Sequence, residues 1–227
     1  MSGIRENLLR VTERIEKAAQ NAGRNSKDIR LVVVSKTVET DRVREAIEAG
    51  VTILGENYVQ EAQKKIEEIG RSVSWHFIGH LQSNKAKVAV QLFDTIHSVD
   101  SVPLAEELNR RTQQTHRKIP VMIEVNLSGE TTKFGTEEEK VMTLAQGMLR
   151  LNHLSLEGLM TMPPYFDDPE MSRPYFVQLR GLKEKMVKGG IPLKELSMGM
   201  SNDFEIAIEE GATYVRVGTA IFGPRKL

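Results

Sequence analysis

The stretch "LVVVSKTVETDRVREAIEAGVTIL", residues 31–54, carries the repeating unit of the chain's architecture. Leu31 to Val34 form a short β-branched apolar run, the pattern of a strand packed on both faces. Residues 40–49 then carry a helical pattern, and "VTIL" at 51–54 opens a second apolar run after Gly50. Strand, helix and strand in so short a span imply a right-handed βαβ unit with parallel strands. One residue is discordant. Lys36 arrives almost directly after the first strand, although lysine is among the residues least often buried.

The rest of the chain repeats that unit. Strand-like runs at 31–35, 51–54, 75–78, 94–97, 121–127, 156–160, 195–198 and 213–217 alternate with helical patterns near 40–49, 57–69, 82–91, 101–116, 136–151, 172–188 and 202–210. Eight strands within 227 residues predict an α/β protein whose sheet closes into a (β/α)8 TIM-type barrel, a single domain over residues 1–227. An open Rossmann-type sheet is the second reading, weakened because no G-x-G-x-x-G follows the first strand. An extra N-terminal helix precedes the barrel: Ile4, Leu8, Val11, Ile15, Ala18 and Ala22 recur at spacings of three and four, and Gly23 closes the run. A docked surface helix is expected there rather than a membrane-binding one. The longest loop, "PPYFDDPEMSRP" at 163–174, follows the sixth strand and is expected to be a proline-stiffened connector rather than a lid.

Composition narrows the function classes. Thirty-one basic residues balance thirty-one acidic ones, so no global field favours nucleic acid or an anionic membrane. Cysteine is absent, which removes disulfides, thiolate metal sites and cysteine nucleophiles and fits a reducing compartment. The first residues lack the apolar core of a signal peptide, and no eighteen apolar residues run together, so a cytoplasmic protein is expected. No His/Asp/Glu cluster has metal-ligand spacing, and no G-x-S-x-G or P-loop occurs.

In a barrel, functional side chains gather at the C-terminal ends of the strands. Those ends carry Lys36, Glu56, Asn57, Gly79, His80, Ser98, Asn126, Met160, Thr161, Met200, Ser201, Arg216, Gly218 and Thr219. Ser201, Asn202 and Asp203 stand before a helical run as an N-cap signature, and a helix start offers free N–H groups to an anion. Gly218 and Thr219 add room for backbone approach and a hydroxyl donor, so a phosphate site after strands seven and eight is expected. Strand alternation in "TYVRVG" puts Arg216 on the face opposite Val215 and Val217, pointing into the barrel mouth if the valines pack outward. A carboxylate partner is the alternative role for that arginine. Lys36 reads either as a lysine with a buried stem and a paired ammonium, or as a partly desolvated amine able to form a Schiff base. A carbonyl ligand that also carries a phosphate would be pyridoxal 5′-phosphate or the phosphorylated sugar of an aldolase, and spacing does not separate them. His80 is a candidate acid–base group; His76 and His97, inside strands, are expected to be structural.

Seven segments in one order, "VVVSKT", "LGENYVQEA", "WHFIGHLQSNK", "IHSVDS", "EVNLSGETTKFG", "LEGLMTM" and "LSMGMSNDFEIAIEEGATYVRVGTAIFG", together resemble the pyridoxal phosphate homeostasis protein family. The resemblance runs from about residue 30 to the C-terminus, and the family is similar to the N-terminal domain of alanine racemase. It implies that Lys36 holds the cofactor as a Schiff base, that Ser201, Gly218 and Thr219 cradle its phosphate with Asn202 on the same turn, and that Arg216 faces the pyridine nitrogen. Asn57, His80 and Met200 are implied as further lining residues. The function it implies is storage, delivery or buffering of the cofactor for apo-enzymes, with no established catalytic reaction. A pyridoxal-phosphate-dependent amino-acid racemase and a Schiff-base aldolase are the alternatives. Because the chain ends shortly after the last strand, without the second domain of a racemase, a monomeric carrier is expected over a racemase.

Overall fold

The structure, a computed structural model, describes residues 3–130 and 133–224. Among the described residues there are eight strands: β1 (Arg30–Val34), β2 (Ile53–Glu56), β3 (Ser74–Phe77), β4 (Thr95–Val99), β5 (Ile119–Glu124), β6 (Leu154–Met160), β7 (Glu195–Ser197) and β8 (Tyr214–Val217). Each pairs in parallel with its neighbour in sequence, and β1 pairs with β8 from Arg30↔Tyr214 to Val33↔Val217, so the sheet closes as a barrel. This settles the choice between barrel and open sheet. The helices are α1 (Ile4–Asn21), α2 (Thr40–Glu48), α3 (Val59–Ile69), α4 (Ala86–Leu92), α5 (Val102–Gln113), α6 (Glu138–Met148), α7 (Arg173–Lys188), α8 (Phe204–Glu209) and α9 (Thr219–Phe222).

Boundaries shift for local reasons. The fifth strand ends at Glu124 rather than 127, because Val125 forms an isolated bridge with Thr136 and Asn126 N–H turns to Thr136 O. α5 stops at Gln113, short of the expected 116, where His116 takes a positive φ of 52° that a helix does not admit. The eighth helical pattern shortens to α8, with Asp203 as its N-cap residue. The one-turn helix α9 was not legible in "GTAIFG".

Side-chain alternation separates two apolar clusters. Val32 and Val34 point inward with Ile78, Met122, Met160 and Tyr214, whereas Val33, Leu54, Val215 and Val217 face the surrounding helices. Gly55 lies on the inner face, and a Cβ there would come within 2.7 Å of Val32 and 2.9 Å of Ile78. α1 packs across α8, α9 and α2, burying Ile4, Leu8, Val11, Ile15, Ala18 and Ala19. Ala19 takes the place expected for Ala22, which is only half-buried. Gly23, at φ 65°, ends this helix as an αL residue, letting Arg24 N–H reach back to Ala19 O. α1 is therefore a docked helix, covering the outside of the seam between β8 and β1. No helix among the described residues is long and apolar enough to cross a membrane.

Candidate functional site at the C-terminal mouth of the barrel

The inward parity of Val32 and Val34 continues past the end of β1 to Lys36, while Ser35 turns the opposite way. That parity resolves the discordance of Lys36: its side chain lines a cavity of about 350 Å³ at the barrel mouth. Val34, Ile78 and Arg216 line the same cavity together with Asn57, Met200, Ser201, Asn202, Gly218 and Thr219. Of the nine candidates named from the sequence, eight share this one space, namely Lys36, Asn57, Met200, Ser201, Asn202, Arg216, Gly218 and Thr219, and His80 lies outside it.

Two strand ends build the polar corner. Ser201 Oγ accepts from Gly218 N at 3.2 Å and Ala220 N at 3.4 Å, so a hydroxyl and two backbone N–H groups converge. The expected capping role of Ser201 is replaced by this contact. Asp203 is the N-cap residue of α8, and its Oδ1 accepts from Met200 N at 2.6 Å. The turn that delivers Ser201 depends on Gly199 at φ 92°, where a Cβ would lie 2.6 Å from Ala207 Cβ and 2.9 Å from Phe204 Cα.

Arg216 is buried on the inner face as the alternation predicts, with Val215 and Val217 packed outward. Among the described residues its hydrogen bonds go not to a carboxylate but to Ser197 Oγ at 2.6 Å and Thr161 O at 2.9 Å. Burial lowers its pKa to about 10, so it remains cationic at neutral pH. Ser197 Oγ also lies 2.8 Å from His97 Nδ1, and His97 Nε2 lies 2.9 Å from His76 Nδ1. The direction of this chain follows from chemistry. A guanidinium only donates, so Ser197 accepts from Arg216 and gives its own proton to His97 Nδ1. His97 then carries its proton on Nε2 and donates to His76 Nδ1. Desolvation keeps both rings neutral, with the His76 pKa lowered to about 4 and that of His97 well below its usual value. The histidines are structural, as expected, but their structural task is to back the arginine. Barrel interiors are usually filled by Val, Ile and Leu; this polar core is a departure from that rule.

Glu124, one residue past the apolar run of β5, is the feature the sequence reading did not single out. It is buried, its Oε2 has no hydrogen-bond partner among the described residues, and desolvation raises its pKa to about 7 despite the nearby Arg216 charge. A carboxylate in phase with Met122 inside "VMIEVNL" was the available signal.

His80 lies apart. Its ring stacks on Phe134 at 3.8 Å, its Nδ1 is 3.5 Å from Asp100 Oδ2, and it lines an adjoining cavity of about 420 Å³ that shares Asn57 and Met162 with the first. Asn57 is thus a partition between the two spaces. Gly79 allows that partition to sit where it does, since a Cβ at Gly79 would come within 2.4 Å of Asn57 O. The 163–174 loop does more than connect. Pro164, Tyr165 and Phe166 line the Lys36 cavity, and Asn202 Nδ2 donates to Phe166 O at 3.0 Å.

The family model for the alanine racemase N-terminal domain matches residues 7–226. The pyridoxal phosphate homeostasis protein of Aquifex aeolicus is 46% identical over 223 residues, covering 97% of this chain and 98% of that protein. The chain belongs to the pyridoxal phosphate homeostasis protein family. Among solved structures, PipY of Synechococcus elongatus PCC7942, determined with PLP bound, is similar at a TM-score of 0.82 and 36% identity, covering 92% of this chain and 100% of PipY. An alanine racemase of Clostridium difficile 630 matches at a TM-score of 0.72 and 19% identity, over 100% of this chain and 58% of the racemase, a likeness of fold. Membership of the pyridoxal phosphate homeostasis protein family accords with the seven segments and with the barrel.

Proposed function

We propose that this protein binds pyridoxal 5′-phosphate through Lys36 and serves the homeostasis of that cofactor, holding it for storage, delivery to apo-enzymes or buffering, as a monomeric single-domain protein of the cytoplasm. The observation that carries the reading is the shared cavity: an inward lysine, a buried arginine and a convergent set of hydroxyl and backbone donors face one space of a size suited to a small cofactor. The residues fit the group. Pyridoxal phosphate brings an aldehyde for an amine, an anionic phosphate and a pyridine ring that draws electrons. Lys36 supplies the amine, and Ser201, Gly218 and Thr219 the phosphate corner, with Asn202 tethering the loop beside it. Asn57 and Met200 form side walls, and His80 acts from beyond Asn57.

Arg216 favours holding over turnover. A guanidinium has no acceptor and no proton to release at neutral pH. A pyridine nitrogen facing Arg216 would accept a hydrogen bond and stay unprotonated, which weakens the ring as an electron sink. The names of the relatives, homeostasis proteins rather than enzymes, support the same reading.

The test is an absorbance spectrum of the purified protein after incubation with pyridoxal phosphate, repeated for Lys36→Ala. A visible band in the wild type and none in the variant is expected; a colourless wild type overturns the proposal. Replacing Ser201 and Thr219 with alanine should weaken retention by roughly 1.5–3 kcal/mol for each charge-assisted bond lost. Solvent deuterium appearing at the α-carbon of an amino acid would replace holding with racemisation.

A further inference from the structure

The residues flanking Lys36 are gripped from outside the cavity by a buried ionic cluster. Lys65, on α3, is 4% exposed and uses all three ammonium protons: on Ser35 O at 2.5 Å, Glu56 Oε1 at 2.8 Å and Glu61 Oε1 at 2.7 Å. Ser35 Oγ donates to Glu56 Oε1 at 2.7 Å, and Thr37 N donates to Glu61 Oε1 at 2.5 Å. Val38 N closes the turn on Ser35 O at 3.1 Å. Three charged side chains thus hold the residue before Lys36 and the residue after it, from the end of β2 and the first two turns of α3.

The backbone between those grips is strained. Thr37 has φ 62°, a left-handed conformation that a β-branched residue rarely adopts. Such a residue persists only where its surroundings over-determine it. The cluster is also a poor device for stability alone, since desolvation of buried ions offsets their attraction and apolar residues would fill the same space at no electrostatic cost. What an ionic cluster supplies and an apolar one does not is direction: fixed acceptors for one N–H and fixed donors for one carbonyl.

We propose that Glu56, Lys65 and Glu61 are positioning residues for Lys36, setting the turn that aims its amine into the cavity. The inference rests on the reading of Lys36 as the cofactor lysine and adds residues that touch neither cavity nor cofactor. Lys65, with every proton engaged, is correspondingly not a second amine for the aldehyde.

The test compares wild type, Glu61→Ala and Glu61→Gln. Apo-protein is mixed with pyridoxal phosphate, and the rate at which the visible band of the lysine-bound cofactor appears is recorded, together with the pH midpoint of that band. Misplacing a reacting atom by about an ångström costs up to a hundredfold, so Glu61→Ala should slow the band by about tenfold or more and shift its midpoint. Glu61→Gln keeps a carbonyl oxygen for Thr37 N–H and should recover most of the rate. Glu61→Ala with wild-type rate and midpoint overturns the proposal. Should that variant not fold, hydrogen exchange in the wild type decides: the Thr37 amide, on an exposed residue, is expected to be protected by Glu61, and free exchange overturns the positioning role. Borohydride reduction and peptide mapping keep the two readings apart. A label on another lysine removes the cofactor reading itself; a label on Lys36 with unchanged kinetics removes only the positioning role.

Discussion

Arg216 Nη1 donates to Ser197 Oγ at 2.6 Å, and that single bond orders a line of polar groups through the barrel interior. Because the arginine has no acceptor, the line runs one way, from Arg216 through Ser197 and His97 to His76. At the far end the rings meet Tyr214, which lies 5.2 Å from His97 and 5.6 Å from His76, ring centre to ring centre, beneath the guanidinium of Arg30. An apolar barrel core would leave the arginine without an acceptor on that side.

The direction of the line fixes tautomers. Both His76 and His97 should carry their proton on Nε2 and remain neutral at pH 7. Nitrogen-15 chemical shifts of the two rings check this, and an Nδ1–H signal from His97 would contradict the assigned direction.

Neutral buried histidines make stability depend on pH with a definite sign. The His76 pKa is about 4 in the folded chain, whereas in the unfolded chain the ring protonates near its ordinary value of about 6.5. Between those values the unfolded state binds more protons, so stability falls as pH drops from about 6.5 to about 4, by on the order of 3 kcal/mol. His97, lowered by burial and by its neighbours, acts in the same direction. Denaturant midpoints at pH 7 and pH 4.5, compared between wild type and His76→Gln, isolate the His76 share, and the variant should lose less stability over that span than wild type.

Glu124 acts with the opposite sign. Burial raises its pKa to about 7, so as pH climbs through roughly 4.5 to 7 the unfolded state releases a proton that the folded state keeps. Its carboxylate therefore lowers stability at high pH, by up to about 3 kcal/mol. Glu124→Gln, neutral at every pH and nearly the same shape, should raise the unfolding midpoint at pH 8 and leave it unchanged at pH 4.5. Equal effects at both pH values would show that shape and not charge is at work.

Ser197→Ala removes the link between arginine and histidine. The guanidinium loses one acceptor and His97 Nδ1 its donor, each buried, for a cost of about 1–3 kcal/mol per unsatisfied group. A fall in the unfolding midpoint together with weaker cofactor retention is expected. A stable variant with unchanged retention would mean that Thr161 O alone holds Arg216.

Gly79→Ala probes the wall between the two cavities. The added Cβ would meet Asn57 O at 2.4 Å and Asn57 Cα at 2.6 Å, backbone atoms that cannot rotate away. A destabilisation of about 1–3 kcal/mol is expected, with Asn57 displaced and retention of pyridoxal phosphate altered. Thermal unfolding and a cofactor release assay report the two effects separately.

Sequence alone was enough to specify the barrel. Eight short apolar runs alternating with helical patterns leave few ways to bury both faces of a parallel sheet, and period-two alternation sufficed to turn Arg216 inward and its valines outward. It also determined the family, through ordered segments around Lys36, Ser201 and Gly218 that packing alone would not require. Tertiary structure decided what depends on distance between strands far apart in sequence. Ser201 gave up an N-cap role because the N–H groups of Gly218 and Ala220 reach its hydroxyl across β8. His80 stands behind Asn57 because the chain after β3 turns toward Phe134 and Asp100. Glu124, His97 and Ser197 each look unremarkable in their own segments and acquire meaning only where closure of the barrel sets them around one buried guanidinium. Lys36 joins the two levels. Its inward direction follows from counting along β1, but the grip on its neighbours comes from Lys65 and Glu61, on a helix that no local rule connects to that turn. Periodicity records which face a side chain takes; the partners it meets there are fixed by the closed barrel, through contacts between residues that local pattern cannot pair.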